Sequence, residues 1–147
     1  MKIVINACFG GFGLSHKGIM KYAELKGVKL YAWMDDICLK HTPESTLDDA
    51  KMVHYATVPK EEYAKYNKLW HETAREKRGD IGDGGYFSCR DIERTDPDLI
   101  KTVEMLGAKA NGRFAELQII DIPDGTDWEI AEYDGNEHVA EKHQTWS

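Results

Sequence analysis

Residues 2–27 constrain this chain more than any other stretch. Lys2-Ile3-Val4-Ile5-Asn6-Ala7-Cys8 is a nearly unbroken apolar, β-branched run, the pattern of a strand covered on both faces and therefore central in a sheet. It leads into Phe9-Gly10-Gly11-Phe12-Gly13-Leu14, where three glycines in four positions permit close approaches that other residues resist. Ser15 is a good N-cap for a helix over His16–Lys26, and Gly27 supplies a left-handed stop. Strand, glycine loop and helix in that order aim unpaired N–H groups and the positive end of a helix dipole at one place, which favours a phosphate or carboxylate. Cys8, Phe9, Gly10, Gly11, Phe12, Gly13, Leu14 and Ser15 are thus candidate ligand-binding residues. The loop has neither the dinucleotide fingerprint nor a Walker motif, because the spacing and the Lys-Ser or Lys-Thr pair are missing. The competing interpretation is a tight strand-to-helix turn whose glycines serve packing.

Further along, Val28–Met34 alternates well enough for a second strand, giving a strand–helix–strand unit whose strands are expected to run parallel. Residues 35–50 are rich in acids and poor in core positions and read as an exposed excursion. Met52–Val58 is a third strand, and Pro59 opens a helix to about Lys77 that carries Tyr63, Tyr66, Trp70 and Thr73 on one face. That aromatic stripe fits a core or interface better than a cofactor box. Gly79–Gly85 holds four glycines in seven residues and must turn or flex. Tyr86–Cys89 is a short strand, and Thr95-Asp96-Pro97-Asp98 starts a helix expected to reach Ala110 and stop at Asn111-Gly112. Arg113–Ile122 reads as a strand ended by Pro123-Asp124-Gly125. Trp128–Tyr133 and Glu137–Glu141 form a hairpin around Asp134-Gly135-Asn136. The expected fold is a single α/β or α+β domain over 1–147, a mixed sheet with the N-terminal unit and a C-terminal antiparallel hairpin. The stripe and the hairpin edge leave room for a homodimer or higher homo-oligomer.

Charge limits the partners. With 26 acidic against 19 basic residues and a net charge of −7, the chain repels polyanions, which argues against duplex nucleic acid but not against a small phosphorylated ligand met by local arginines. No apolar stretch approaches the roughly 20 residues of a membrane helix, and no signal-peptide pattern precedes the first strand. Three widely spaced cysteines, Cys8, Cys38 and Cys89, argue against a disulfide framework and for a reducing, cytoplasmic setting.

Three further constellations bear on chemistry. Arg90, Arg94 and Arg113, with Tyr86, Phe87 and Phe114 near them in sequence, supply forks for phosphates and faces for bases; the plain alternative is pairing with Asp91, Glu93, Asp96 and Asp98. Cys8 ahead of a helix N-terminus is where a thiolate would be stabilised, yet Leu14 stands where a phosphatase-type loop needs arginine, and a small buried core cysteine is the simpler reading. Asp35, Asp36, Cys38 and His41, or His138 with His143, lack familiar ligand spacing, so no metal and no cofactor are expected.

Two blocks carry a resemblance: Met1-Lys2-Ile3-Val4-Ile5-Asn6-Ala7-Cys8-Phe9-Gly10-Gly11-Phe12-Gly13-Leu14-Ser15, and the closing region with Arg94-Thr95-Asp96-Pro97, Ile122-Pro123-Asp124-Gly125, Tyr133-Asp134-Gly135 and His143-Gln144-Thr145-Trp146. They resemble a family of small bacteriophage and prophage proteins to which no catalytic residues attach, and a segment at about 35–85 looks like a variable insertion. Small phage proteins include many that counter host immunity, among them sponges that capture cyclic nucleotides. The resemblance implies an anti-defence protein in the host cytoplasm that sequesters a nucleotide-derived immune signal. Two alternatives stand beside it: a protein–protein inhibitor of a host defence enzyme, and a Cys8-dependent enzyme acting on a small phosphorylated substrate.

Overall fold

The structure, a computed structural model, describes residues 1–34, 37–38 and 53–142. Along the chain run β1 (Lys2–Asn6), α1 (His16–Lys26), β2 (Tyr31–Met34), β3 (Ile37–Cys38), β4 (His54–Ala56), α2 (Lys60–Glu72), β5 (Tyr86–Phe87), α3 (Pro97–Leu106), β6 (Leu117–Asp121), β7 (Trp128–Tyr133) and β8 (Asn136–Glu141). Two compact units result. One joins Met1–Lys26 to the chain from Cys89 onward, and the other is Gly27–Ser88. The fold is α+β, with the expected C-terminal hairpin formed by β7 and β8.

In the first unit β1 is as buried as its composition predicts, with Ile3, Val4 and Ile5 at 0–4% exposure. Its partner is β6, antiparallel, with Val4 opposite Ile119. The expected parallel pairing of the first two strands in a mixed sheet does not form: β2 pairs antiparallel with β3 and β4. The reason lies on the other edge of β1. There Val4 N donates to Arg94 O at 2.9 Å and Asn6 N donates to Glu137 Oε1 at 2.8 Å. A loop carbonyl and a carboxylate thus satisfy the amides a parallel neighbour would have used.

Helix α1 lays Ile19, Tyr22 and Ala23 into the core, where they meet the helical layer of α3, whose Leu99 and Val103 are buried. Asp96 caps α3 by accepting from Asp98 N at 2.8 Å, and the same carboxylate accepts from Tyr22 Oη and Lys26 Nζ, both at 2.9 Å. Burial works to raise the Asp96 carboxyl, but the bonds from Lys26, Asp98 N and Tyr22 outweigh it and hold the group below its ordinary range. Helix α3 ends at Leu106 rather than at Ala110, because Gly107 takes φ +56° and the chain tightens into a 3-10 turn over Gly107–Ala110.

The second unit is a four-stranded antiparallel sheet ordered β3-β2-β4-β5 with α2 beside β2. Leu30, Trp33, Tyr55 and Ala56 form its buried centre. The helix is shorter than expected: Thr73 turns extended at φ −89°, ψ 138°, and Arg75–Ile81 continues as a 3-10 segment. Most of the acidic excursion lies outside the described residues. None of the helices among the described residues is long and apolar enough to cross a membrane.

Candidate ligand-binding face

The glycine loop is shaped by backbone lying on backbone. Asp134 and Gly135, at φ +49° and +84°, make the two-residue turn between β7 and β8. That turn rests on the loop so closely that a Cβ on Gly135 would sit 2.3 Å from Gly11 N. Gly10 N donates to Asp134 O at 3.3 Å, which ties the two turns together. On the opposite side a Cβ on Gly112 would come within 2.8 Å of Gly13 C, and Gly112 N donates to Gly13 O at 2.9 Å.

Asn6 fastens this arrangement from below. Fully buried, it donates through Nδ2 to Cys8 O and Gly135 O, both at 2.8 Å, and accepts from Glu116 N through Oδ1 at 2.8 Å. Beside it Arg94 grips Glu137 with two bonds of 2.6 and 2.9 Å while its guanidinium stacks 3.7 Å from the centre of the Phe12 ring. Burial pushes the Glu137 carboxyl up, yet Arg94 and the Asn6 amide together pull it below the ordinary carboxylate value. One charged pair therefore closes the edge of β1 and anchors β8 to it.

These contacts sort the residues singled out from the sequence. Phe12 and Leu14, at 8% and 7% exposure, belong to the core. Ser15 caps α1: its Oγ accepts from Gly18 N at 3.0 Å and donates to Lys109 O at 2.6 Å. Cys8 points its thiol at Phe114 O, 3.2 Å away, and at Asn6 Oδ1, 3.4 Å away; among the described residues no histidine or carboxylate activates it. Arg94 is spent on Glu137, whereas Arg90 is exposed in the 3-10 turn Cys89–Asp91 and Arg113 lies 5.3 Å from the Phe114 ring centre. The three arginines are not one cluster with one role.

An open face remains above the loop. Phe9, Phe114 and Tyr133 are 61%, 64% and 78% exposed. Phe9 and Tyr133 meet edge to face with ring centres 6.4 Å apart, and Phe114 adjoins Gly10 through its backbone, where an added Cβ would lie 2.6 Å from Phe114 O. Gly11 has nothing within 4 Å on its side-chain side. Among the described residues neither Phe9 N nor Gly11 N donates a hydrogen bond. Aromatic faces and one arginine can together hold a flat, anionic molecule, whereas the Gly11 amide nitrogen lies against Gly135.

Sequence reading missed Asn6, Glu137 and Tyr133. The available signals were a single amide in an apolar strand and an acid at the start of a hairpin return. Among the described residues no group of His, Cys, Asp or Glu is gathered to hold a metal ion. Asp35, Asp36, His41 and His143 lie outside those residues. No protein-family model matches this chain, and neither a curated protein nor a solved structure matches it.

Proposed function

We propose that the chain is a non-enzymatic binding protein that holds a nucleotide-type ligand on the face made by Phe9, Gly11, Arg113, Phe114 and Tyr133. One observation carries this reading: three largely exposed aromatic rings stand around an open stretch of glycine backbone beside an arginine. Bases stacking on such rings gain about 1–3 kcal/mol each. Arg113 then meets the phosphate. Cys8, Gly10, Phe12, Gly13, Leu14, Ser15 and Arg94 support that face from beneath. The resemblance to small phage proteins supplies the biological sense, sequestration of a cyclic-nucleotide host immune signal in the host cytoplasm by a homodimer or higher homo-oligomer.

Calorimetry with a panel of cyclic dinucleotides and cyclic ADP-ribose variants tests this. Saturable heat is expected with at least one of them, and it should disappear in Phe9→Ser with Tyr133→Ser and weaken in Arg113→Gln. Absence of heat with every member sinks the nucleotide reading.

A protein target is the second reading, and the degree of exposure favours it. A pocket buries about 70–90% of a small ligand, whereas rings that are 61–78% exposed protrude as interface residues do. If the nucleotide panel is silent while the same double substitution abolishes inhibition of a host enzyme, the inhibitor reading stands instead.

A further inference from the structure

The second unit carries a separate cleft of about 400 Å³. Tyr63, Tyr66, Asn67 and Trp70 of α2 line it, joined by Asp83 and by Tyr86 of β5. The rings form a concave wall rather than a slot. Tyr63 lies 5.8 Å from Tyr66 at an interplanar angle of 43°, and 6.3 Å from Tyr86 at 35°. A flat base slipped between two rings needs them parallel and about 7–8 Å apart, twice the optimal carbon contact, so these tilted pairs leave no room for one. A rounded group resting against several π faces fits them better.

Charge points the same way. Asp83 is the one charged residue in the lining, and no lysine or arginine is there to meet a phosphate. Its Oδ1 accepts from Gly85 N at 2.9 Å, and among the described residues it has no ion-pair partner. The Tyr63 hydroxyl is held above its ordinary value first by burial, which disfavours charge of either sign, and then by Tyr86, Tyr66 and Asp83, which disfavour a negative one. One face of Trp70 is covered by the Arg78 guanidinium, which does not line the cleft and sits 3.8 Å from the ring centre, so only the rest of that ring is open to a ligand.

We propose that this cleft binds a small organic cation whose charge is carried by a methylated ammonium group, with the tyrosine and tryptophan faces around the methyl groups and Asp83 supplying the counter-charge. Choline chloride is the probe, and its uncharged carbon isostere 3,3-dimethylbutan-1-ol is the control, both followed by saturation-transfer NMR of their methyl protons against the full chain. Choline is expected to bind about two- to fivefold more tightly than the isostere, the difference a solvent-exposed cation–π site makes. Asp83→Asn, which keeps an oxygen for Gly85 N, should narrow that gap, and Trp70→Leu should weaken choline while circular dichroism stays unchanged. Equal binding of choline and isostere overturns the proposal. So does the absence of saturable choline binding, or displacement of choline by adenosine monophosphate at lower concentration than choline itself requires.

Discussion

At the scale of single residues, the glycine loop is a test of what its glycines are for. Gly135 and Gly11 both have positive φ, but only Gly135 is crowded, its Cβ position lying 2.3 Å from backbone nitrogen. Gly135→Ala should therefore cost roughly 2–4 kcal/mol through strain and overpacking, against about 1–2 kcal/mol for Gly11→Ala, where strain acts alone. Urea unfolding of the two variants checks the ordering. Asn6 is the second sensitive position. Asn6→Leu would leave the part-buried Cys8 O, Gly135 O and Glu116 N without their partners, and with about 1 kcal/mol for each such group, we expect a loss of roughly 3 kcal/mol in urea unfolding followed by circular dichroism. Asn6 was legible only as an exception to an apolar run, because a sequence pattern does not say which turns converge on a buried amide.

At the scale of elements, two charged contacts decide how pieces dock. Glu137 joins β8 to β1 through Arg94. Its folded value lies below the ordinary 4.5, so the stability it contributes is complete above that pH and is lost as pH falls below it through the lowered folded value. Thermal melts between pH 7 and pH 3 should therefore show a steeper acid loss for the unaltered chain than for Glu137→Gln, which starts less stable. Asp96 follows the same sign. Because it caps α3 and also holds Tyr22 and Lys26 of α1, Asp96→Ala should cost about 2 kcal/mol, at the upper end for a cap, and fluorescence-monitored denaturation reads it. The start of α3 was legible from Asp96-Pro97, since capping is a local matter. Its end was not, because the apolar spacing continues past Gly107 to Ala110 and only the backbone shows where the helix tightens.

At the scale of the whole molecule, the excess of acids over bases sets the long-range field. With a net charge of −7 the chain should show no retention of duplex DNA in filter binding even at low salt, where surface electrostatics are strongest; tight salt-dependent retention would contradict the charge argument. Taken alone, the sequence determined what depends on neighbours along the chain: the buried β1, the bounds of α1 with Ser15 and Gly27 at its ends, the hairpin turn at Asp134-Gly135, and the mixture of helices and strands, with α/β and α+β both left open. Only the tertiary structure decided that β1 pairs with β6 instead of β2, and that Arg94 serves Glu137 while Arg113 stands beside an exposed ring. It also brought Phe9 to Tyr133 across more than a hundred residues. The physical reason is that caps, turns and apolar periodicity are encoded within a few positions. The choice of strand partner and of charge partner is made by whichever distant group reaches a buried edge and satisfies it.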